Sequence, residues 1–152
     1  MSMYVLQVIT GREQEICGRL NRAGIPAYCP SAMRQLRRGG RWQAQEYLLY
    51  PAYIFVQCES VVDVYYAIRH EDGVLYWLGA TRGTPEALSK DEEANILWLA
   101  GDGPLPVSRA VRHEDGALDF TSGPLKRLAE LEALRSVLVR ERRATAVLPL
   151  HG

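Results

Sequence analysis

The sequence predicts an α+β domain with an antiparallel or mixed sheet flanked by helices, followed by a short tail with strand character. Three observations carry this. Over roughly the first hundred residues the order is strand, helix, strands, helix, strand, helix, and the middle strands form a hairpin instead of alternating with helices. The most apolar and aromatic run, residues 47–58, is rich in β-branched and aromatic side chains and too short for a helical reading. Gly101-Asp-Gly-Pro-Leu-Pro106 then interrupts the pattern as a linker. The predicted organisation is a domain over 1–100, a linker over 101–106 and a small domain over 107–152.

Taken in order, residues 3–10 (Met-Tyr-Val-Leu-Gln-Val-Ile-Thr) form a strand ended by Gly11. Residues 11–23 form a helix, with Ile16, Leu20 and Ala23 at helical spacing. Arg12, Glu13, Glu15, Arg19 and Arg22 take its wet faces. Thr10 or Gly11 is the expected cap and Gly24 the stop. Residues 25–36 are extended but interrupted by Pro26 and Pro30. Arg34-Gln-Leu-Arg-Arg-Gly-Gly-Arg41 is a basic turn whose glycines supply the positive φ angles of a hairpin tip. Its arginines could hold phosphates; charged tips also keep edge strands soluble, and that is the stronger reading. Residues 42–50 return as a strand.

Pro51 divides the central run, because proline cannot donate to a sheet ladder. Residues 47–50 and 53–58 are therefore two segments separated by a kink, or one strand with a bulge. Beyond Pro51, Ile54, Val56 and Cys58 face one way and suit a core; Tyr53, Phe55 and Gln57 face the other. Two readings are open: a central strand buried on both faces, or an exposed aromatic patch of Tyr50, Tyr53 and Phe55 for a partner. Residues 61–69 read as a second helix with a stripe of Val61, Val64, Tyr65 and Ile68. Residues 74–78 are a strand and 81–88 a loop. Ser89-Lys-Asp-Glu92 is a capping box opening a third helix to Leu99.

Composition bounds the function. The chain has 152 residues, 47% hydrophobic and 24% charged, as in a globular domain. Lys plus Arg and Asp plus Glu number 18 each, so any nucleic-acid contact must be a local patch. No apolar run reaches membrane-spanning length and no signal pattern opens the chain, so a cytoplasmic protein without a membrane partner is expected. The three cysteines, Cys17, Cys29 and Cys58, lack paired spacing and read as reduced thiols. His70, His113 and His151 are scattered in polar turns or at the terminus. No phosphate-cradling loop, nucleophile elbow or metal motif is present, so no catalytic residue, cofactor or metal is expected.

Tyr-Pro-Ala-Tyr-Ile-Phe-Val (50–56) resembles the Phe/Tyr-Pro-Gly-Tyr run of the NusG family of transcription elongation factors, with Ala52 in place of glycine. The likeness extends over residues 3–100. It includes Tyr4-Val-Leu-Gln, the helix after Gly11, the Pro30 strand, the Arg-Gly-Gly hairpin, Arg69 to Gly73-Val74, and Leu88-Ser-Lys-Asp-Glu92. It implies the family's N-terminal (NGN) fold and no enzymatic activity. It also implies a monomer that docks on the clamp helices of the largest RNA polymerase subunit through Tyr50, Pro51, Tyr53 and Phe55. Such docking would close the clamp and suppress pausing. Arg19, Arg22 and Arg69 match positions that touch non-template DNA in family paralogues, whereas Ile9 and Glu15 stand where RfaH-like members are basic.

In the tail, Ala117-Leu-Asp-Phe-Thr-Ser-Gly-Pro-Leu-Lys126 is similar to the opening of the KOW motif, the small β-barrel that ends most NusG proteins. Arg140-Glu-Arg-Arg-Ala144 resembles that barrel's basic turn. The chain stops at Gly152, where family members continue, so an incomplete barrel is one expectation. Leu125, Leu128, Leu131, Leu134 and Leu138 lie near helical spacing, so a helical or partly unfolded tail is the alternative to the favoured barrel. Lys126, Arg127, Arg135, Arg140, Arg142 and Arg143 could face nascent RNA or a ribosomal protein, or form a solvated face. The wording of the tail resembles specialised LoaP- or RfaH-like antitermination paralogues. The general factor is the nearest alternative. A stand-alone RNA-binding or ribosome-associated module and a purely structural partner are rivals of other classes.

Overall fold

The computed structural model describes residues 1–81, 83–101, 103–106, 109–112, 114, 118–122, 134–138 and 143–146. Thirteen elements follow one another along these: β1 (Ser2–Val8), α1 (Glu13–Arg22), β2 (Ala27–Tyr28), β3 (Ser31–Arg38), β4 (Arg41–Leu48), β5 (Tyr53–Cys58), α2 (Val61–Ile68), β6 (Val74–Trp77), α3 (Lys90–Ala100), β7 (Arg109–Arg112), β8 (Leu118–Ser122), β9 (Leu134–Leu138) and β10 (Arg143–Ala146). The α+β expectation holds. The chain forms two compact units, one of residues 1–31, 48–103 and 150–152, the other of residues 32–47 and 104–149.

The first unit is built on a sheet of order β2-β5-β1-β6 in which every neighbouring pair is antiparallel. β1 and β5 are its centre, paired from Ser2 opposite Cys58 to Gln7 opposite Tyr53. That register puts Leu6 beside Ile54 and Tyr4 beside Val56 on one face, Val5 beside Phe55 on the other. On the first face Leu6, Val8, Ile54 and Val56 join Ile16 and Leu20 of α1 and Val64 and Ile68 of α2 in one core. Burial of these aliphatic groups is what holds α1 and α2 to the sheet. On the second face Met3 and Val5 are buried, and Gln57 donates to Glu93 of α3 at 2.8 Å.

α2 forms despite its β-branched residues because Ser60 caps it, accepting from the Val62 N–H, and because Val64 and Ile68 fall on the core side. Tyr65 does not join that stripe as expected: it is exposed, one position round from Val64. α3 opens as the capping box predicts, with Ser89 Oγ accepting from the Glu92 N–H at 3.2 Å. α1 starts later than expected. Its N-cap is Arg12, with no side-chain cap, in place of Thr10 or Gly11. Gly73, at φ +97, packs a backbone turn against Arg12, whose Cγ would lie 3.2 Å from any Cβ placed there.

In the second unit β3 and β4 make a two-stranded ribbon joined by Gly39 and Gly40 at φ +57 and +76, the tip foreseen from sequence. Within the stretch read as a linker, Leu105 bridges to Ala32 and accepts from the Met33 N–H at 2.7 Å. β7 pairs with β8, and β9 with β10, each antiparallel. Leu134 and Leu138 lie on strand β9, so the helical expectation fails there; Val137 between them supplies β-branched character. The rest of that leucine series lies outside the described residues, as do Lys126, Arg127, Arg140, Arg142, His113 and His151.

Candidate functional site

The aromatic run resolves into a turn and a strand. The Tyr53 N–H donates to the Tyr50 carbonyl at 3.2 Å, closing Tyr50-Pro51-Ala52-Tyr53 as a β-turn. Proline second and a left-handed residue third, Ala52 at φ +72, is the pattern of a type II turn. This decides between the kink and the bulge: β4 and β5 are separate strands in different sheets. Ala52 is the only non-glycine residue with positive φ among those described. A Cβ in that region costs about 1–2 kcal/mol, which explains why glycine suits the position.

Two hydrogen bonds hold the strained residue. Its carbonyl accepts from the Val8 N–H at 2.8 Å, and its N–H donates to Glu13 Oε2 at 3.2 Å. Glu13 Oε1 accepts from the Gly11 N–H. Glu13 therefore does not lie on a wet face as the helical pattern suggested; it is buried in the first turn of α1. Burial alone would raise its carboxyl, but the backbone N–H groups of Glu13, Ala52, Gly11 and Arg12 outweigh it and hold the pKa below the usual range. The sequence signal for this role is an acid at the first helical position with Arg12, which has no capping side chain, immediately before it and Thr10 three residues back, the Thr-x-x-Glu spacing of a capping box.

The rings beside the turn are unequally accessible. Pro51 is exposed, and Tyr50 and Tyr53 are half-buried. Phe55 is only 3% exposed, with its ring edge-on to Tyr50 at 5.3 Å. The expectation of an exposed three-ring patch is thus corrected: Phe55 belongs to the interior, and Tyr50 and Tyr53 are the rings with accessible surface. Phe55 sinks because it lies directly between Val5 of β1 and Tyr28 of β2 in the sheet. Burial raises the Tyr50 hydroxyl pKa.

The three expected DNA-facing arginines differ in their surroundings. Arg19 approaches Glu71 at 3.7 Å, and the other oxygen of Glu71 binds Arg12 at 3.1 Å. Arg69 lies over the Tyr66 ring at 5.6 Å and lines a groove of about 310 Å³ between α2 and β6, with Tyr65 and Trp77. Arg22 is exposed at the end of α1. Tyr65 and Tyr66, both exposed and stacked edge-on at 5.4 Å, were not singled out from sequence as surface rings. Arg143 opens β10 and Arg135 lies on β9. Among the described residues no group of three or more His, Cys, Asp or Glu could hold a metal ion, and no helix is long and apolar enough to cross a membrane.

An antiparallel sheet packed on helices α1 and α2 carries an aromatic turn pinned by Glu13 and Val8. The sequence model of the NusG family, described as "Transcription termination factor nusG", matches residues 1–97. The chain belongs to the NusG family, whose members are transcription elongation and termination factors that bind RNA polymerase and not enzymes. No curated protein matches the chain.

Proposed function

We propose that the protein is a transcription elongation factor of the specialised, antiterminating kind, which docks its N-terminal domain on the clamp helices of the largest RNA polymerase subunit. One observation carries this reading: the Tyr50–Tyr53 turn offers two half-buried rings and an exposed proline on a backbone pinned by Glu13 and Val8. Amphipathic rings held in a fixed position are efficient anchors for a helical partner, because little conformational freedom is lost on binding. Tyr50, Pro51 and Tyr53 make the contact, and Phe55 supports Tyr50 from beneath. Arg22 and Arg69 face non-template DNA; Arg19 contributes less, since Glu71 offsets its charge. The tail from residue 107 is the KOW-like domain, with its basic residues toward nascent RNA or a ribosomal protein.

Pull-down with RNA polymerase tests the docking. Tyr50→Ala and Tyr53→Ala are each expected to weaken binding by about tenfold or more, as for an interface anchor. Unchanged binding in both variants defeats the reading. If instead Arg142→Ala with Arg143→Ala abolishes RNA binding while polymerase binding is intact, the protein is an RNA-binding module. Transcription through a terminator separates the specialised from the general role: added protein raises read-through in the first case and leaves it unchanged or lower in the second.

A further inference from the structure

The ribbon of β3 and β4 has a second surface that the polymerase-docking reading does not use. Arg34 donates to Gln45 Oε1 through Nε and Nη2 at 3.3 and 3.1 Å, and Arg37 lies over the Trp42 ring at 6.0 Å. Both pairs fit a two-residue Gly39-Gly40 turn, which sets Arg38 opposite Arg41. Strand alternation then places Arg34, Arg38 and Arg41 on one face and Arg37 with Trp42 and Glu46 on the other. All four arginines are exposed. Between residues 32 and 47 the charges are four arginines against Glu46 alone, in a chain that is neutral as a whole. The acid lies off the three-arginine face.

We propose that this face binds duplex DNA through its phosphates, with the ribbon lying in the major groove. Three features favour that partner. A two-stranded ribbon fits a B-form major groove about 12 Å wide, whereas the deep, narrow major groove of A-form RNA does not admit side chains. Arg34 and Arg38, four residues apart on one strand, are about 13 Å apart and straddle such a groove. Arg34 is also held in place: its guanidinium stacks on the Tyr47 ring at 5.1 Å while bonded to Gln45, so little side-chain freedom is lost when a phosphate arrives. Solubility of an isolated ribbon would call for charge but not for an arginine held by a ring and an amide on an acid-free face.

The test is fluorescence anisotropy of a labelled duplex DNA against the full chain, between about 50 and about 200 mM salt. The triple variant R34Q/R38Q/R41Q is expected to bind at least about tenfold more weakly at the lower salt. The slope of log affinity against log salt should fall by about 0.9 for each phosphate no longer neutralised, near 3 for all three arginines. The Lys triple variant at the same positions retains charge and should keep most of the slope, which separates removal of charge from misfolding. An unchanged triple variant, a wild-type chain that does not bind the duplex, or equal binding of duplex RNA each overturns the proposal. Polymerase pull-down is unaffected by these variants, so failure here and failure of the docking reading are read independently.

Discussion

Replacing Glu13 with alanine removes the acceptor that holds the Tyr50–Tyr53 turn. Its carboxylate takes N–H groups from Gly11 and Ala52 and sits in the first turn of α1. Gly11 is an exposed residue, so water can take the place of the missing partner and its release costs little. The Ala52 N–H is half-buried, and losing a bond to a charged acceptor there costs about 1.5–3 kcal/mol. Loss of an acid at a helix N-terminus adds about 0.3–1 kcal/mol. Urea unfolding should therefore show a destabilisation of about 2–4 kcal/mol. Amide exchange should speed up most at Ala52, whose donor is left without its acceptor. The effect is linked to pH. The folded pKa of Glu13 lies below the ordinary value of 4.5, so its stabilisation is complete above that value and fades as pH falls through the lower, folded value. The gap between wild type and Glu13→Ala should close in acid. A variant as stable as wild type at neutral pH, with unchanged exchange at Ala52, would refute the assignment of Glu13 as the pin.

Other positions offer further checks. Ala52→Gly relieves the left-handed strain at φ +72 and should raise stability by about 0.5–1 kcal/mol in urea unfolding, once the added freedom of the unfolded chain is counted. Ser89→Ala removes the acceptor for the Glu92 N–H and should cost about 1 kcal/mol, seen as a lower unfolding midpoint. Gln57→Ala removes the first cause of the low Glu93 pKa, its hydrogen bond to the Gln57 amide, with Lys90 a lesser one; carboxyl NMR titration should show Glu93 moving back up.

Much of the fold was legible because period and punctuation agreed. Ile54, Val56 and Cys58 alternate as a half-buried strand must, and the Gly39-Gly40 tip and the Ser89 cap announce themselves by residue type. The site was legible in outline, since Pro51 had to break the strand. What periodicity could not deliver was Glu13, because an acid at the first helical position reads as solvated until a distant backbone N–H comes to meet it. The same holds for Phe55. Alternation fixed its face but not what covers that face, and its neighbours Val5 and Tyr28 come from strands far away in sequence. Tyr65 failed in the opposite sense: eight residues of α2 allow more than one stripe, and the sheet selected Val64 and Ile68.

The strand order carries a consequence for biosynthesis. β1 leaves the ribosome before both of its sheet neighbours, β5 and β6, so its edges stay bare until residues 53–58 and then 74–77 have emerged. A bare apolar edge is an invitation to pair with other chains, and nascent Met-Tyr-Val-Leu-Gln-Val is such an edge. The helix that follows immediately, α1, is local and quick to form, and its Ile16 and Leu20 can shelter Leu6 and Val8 during the wait.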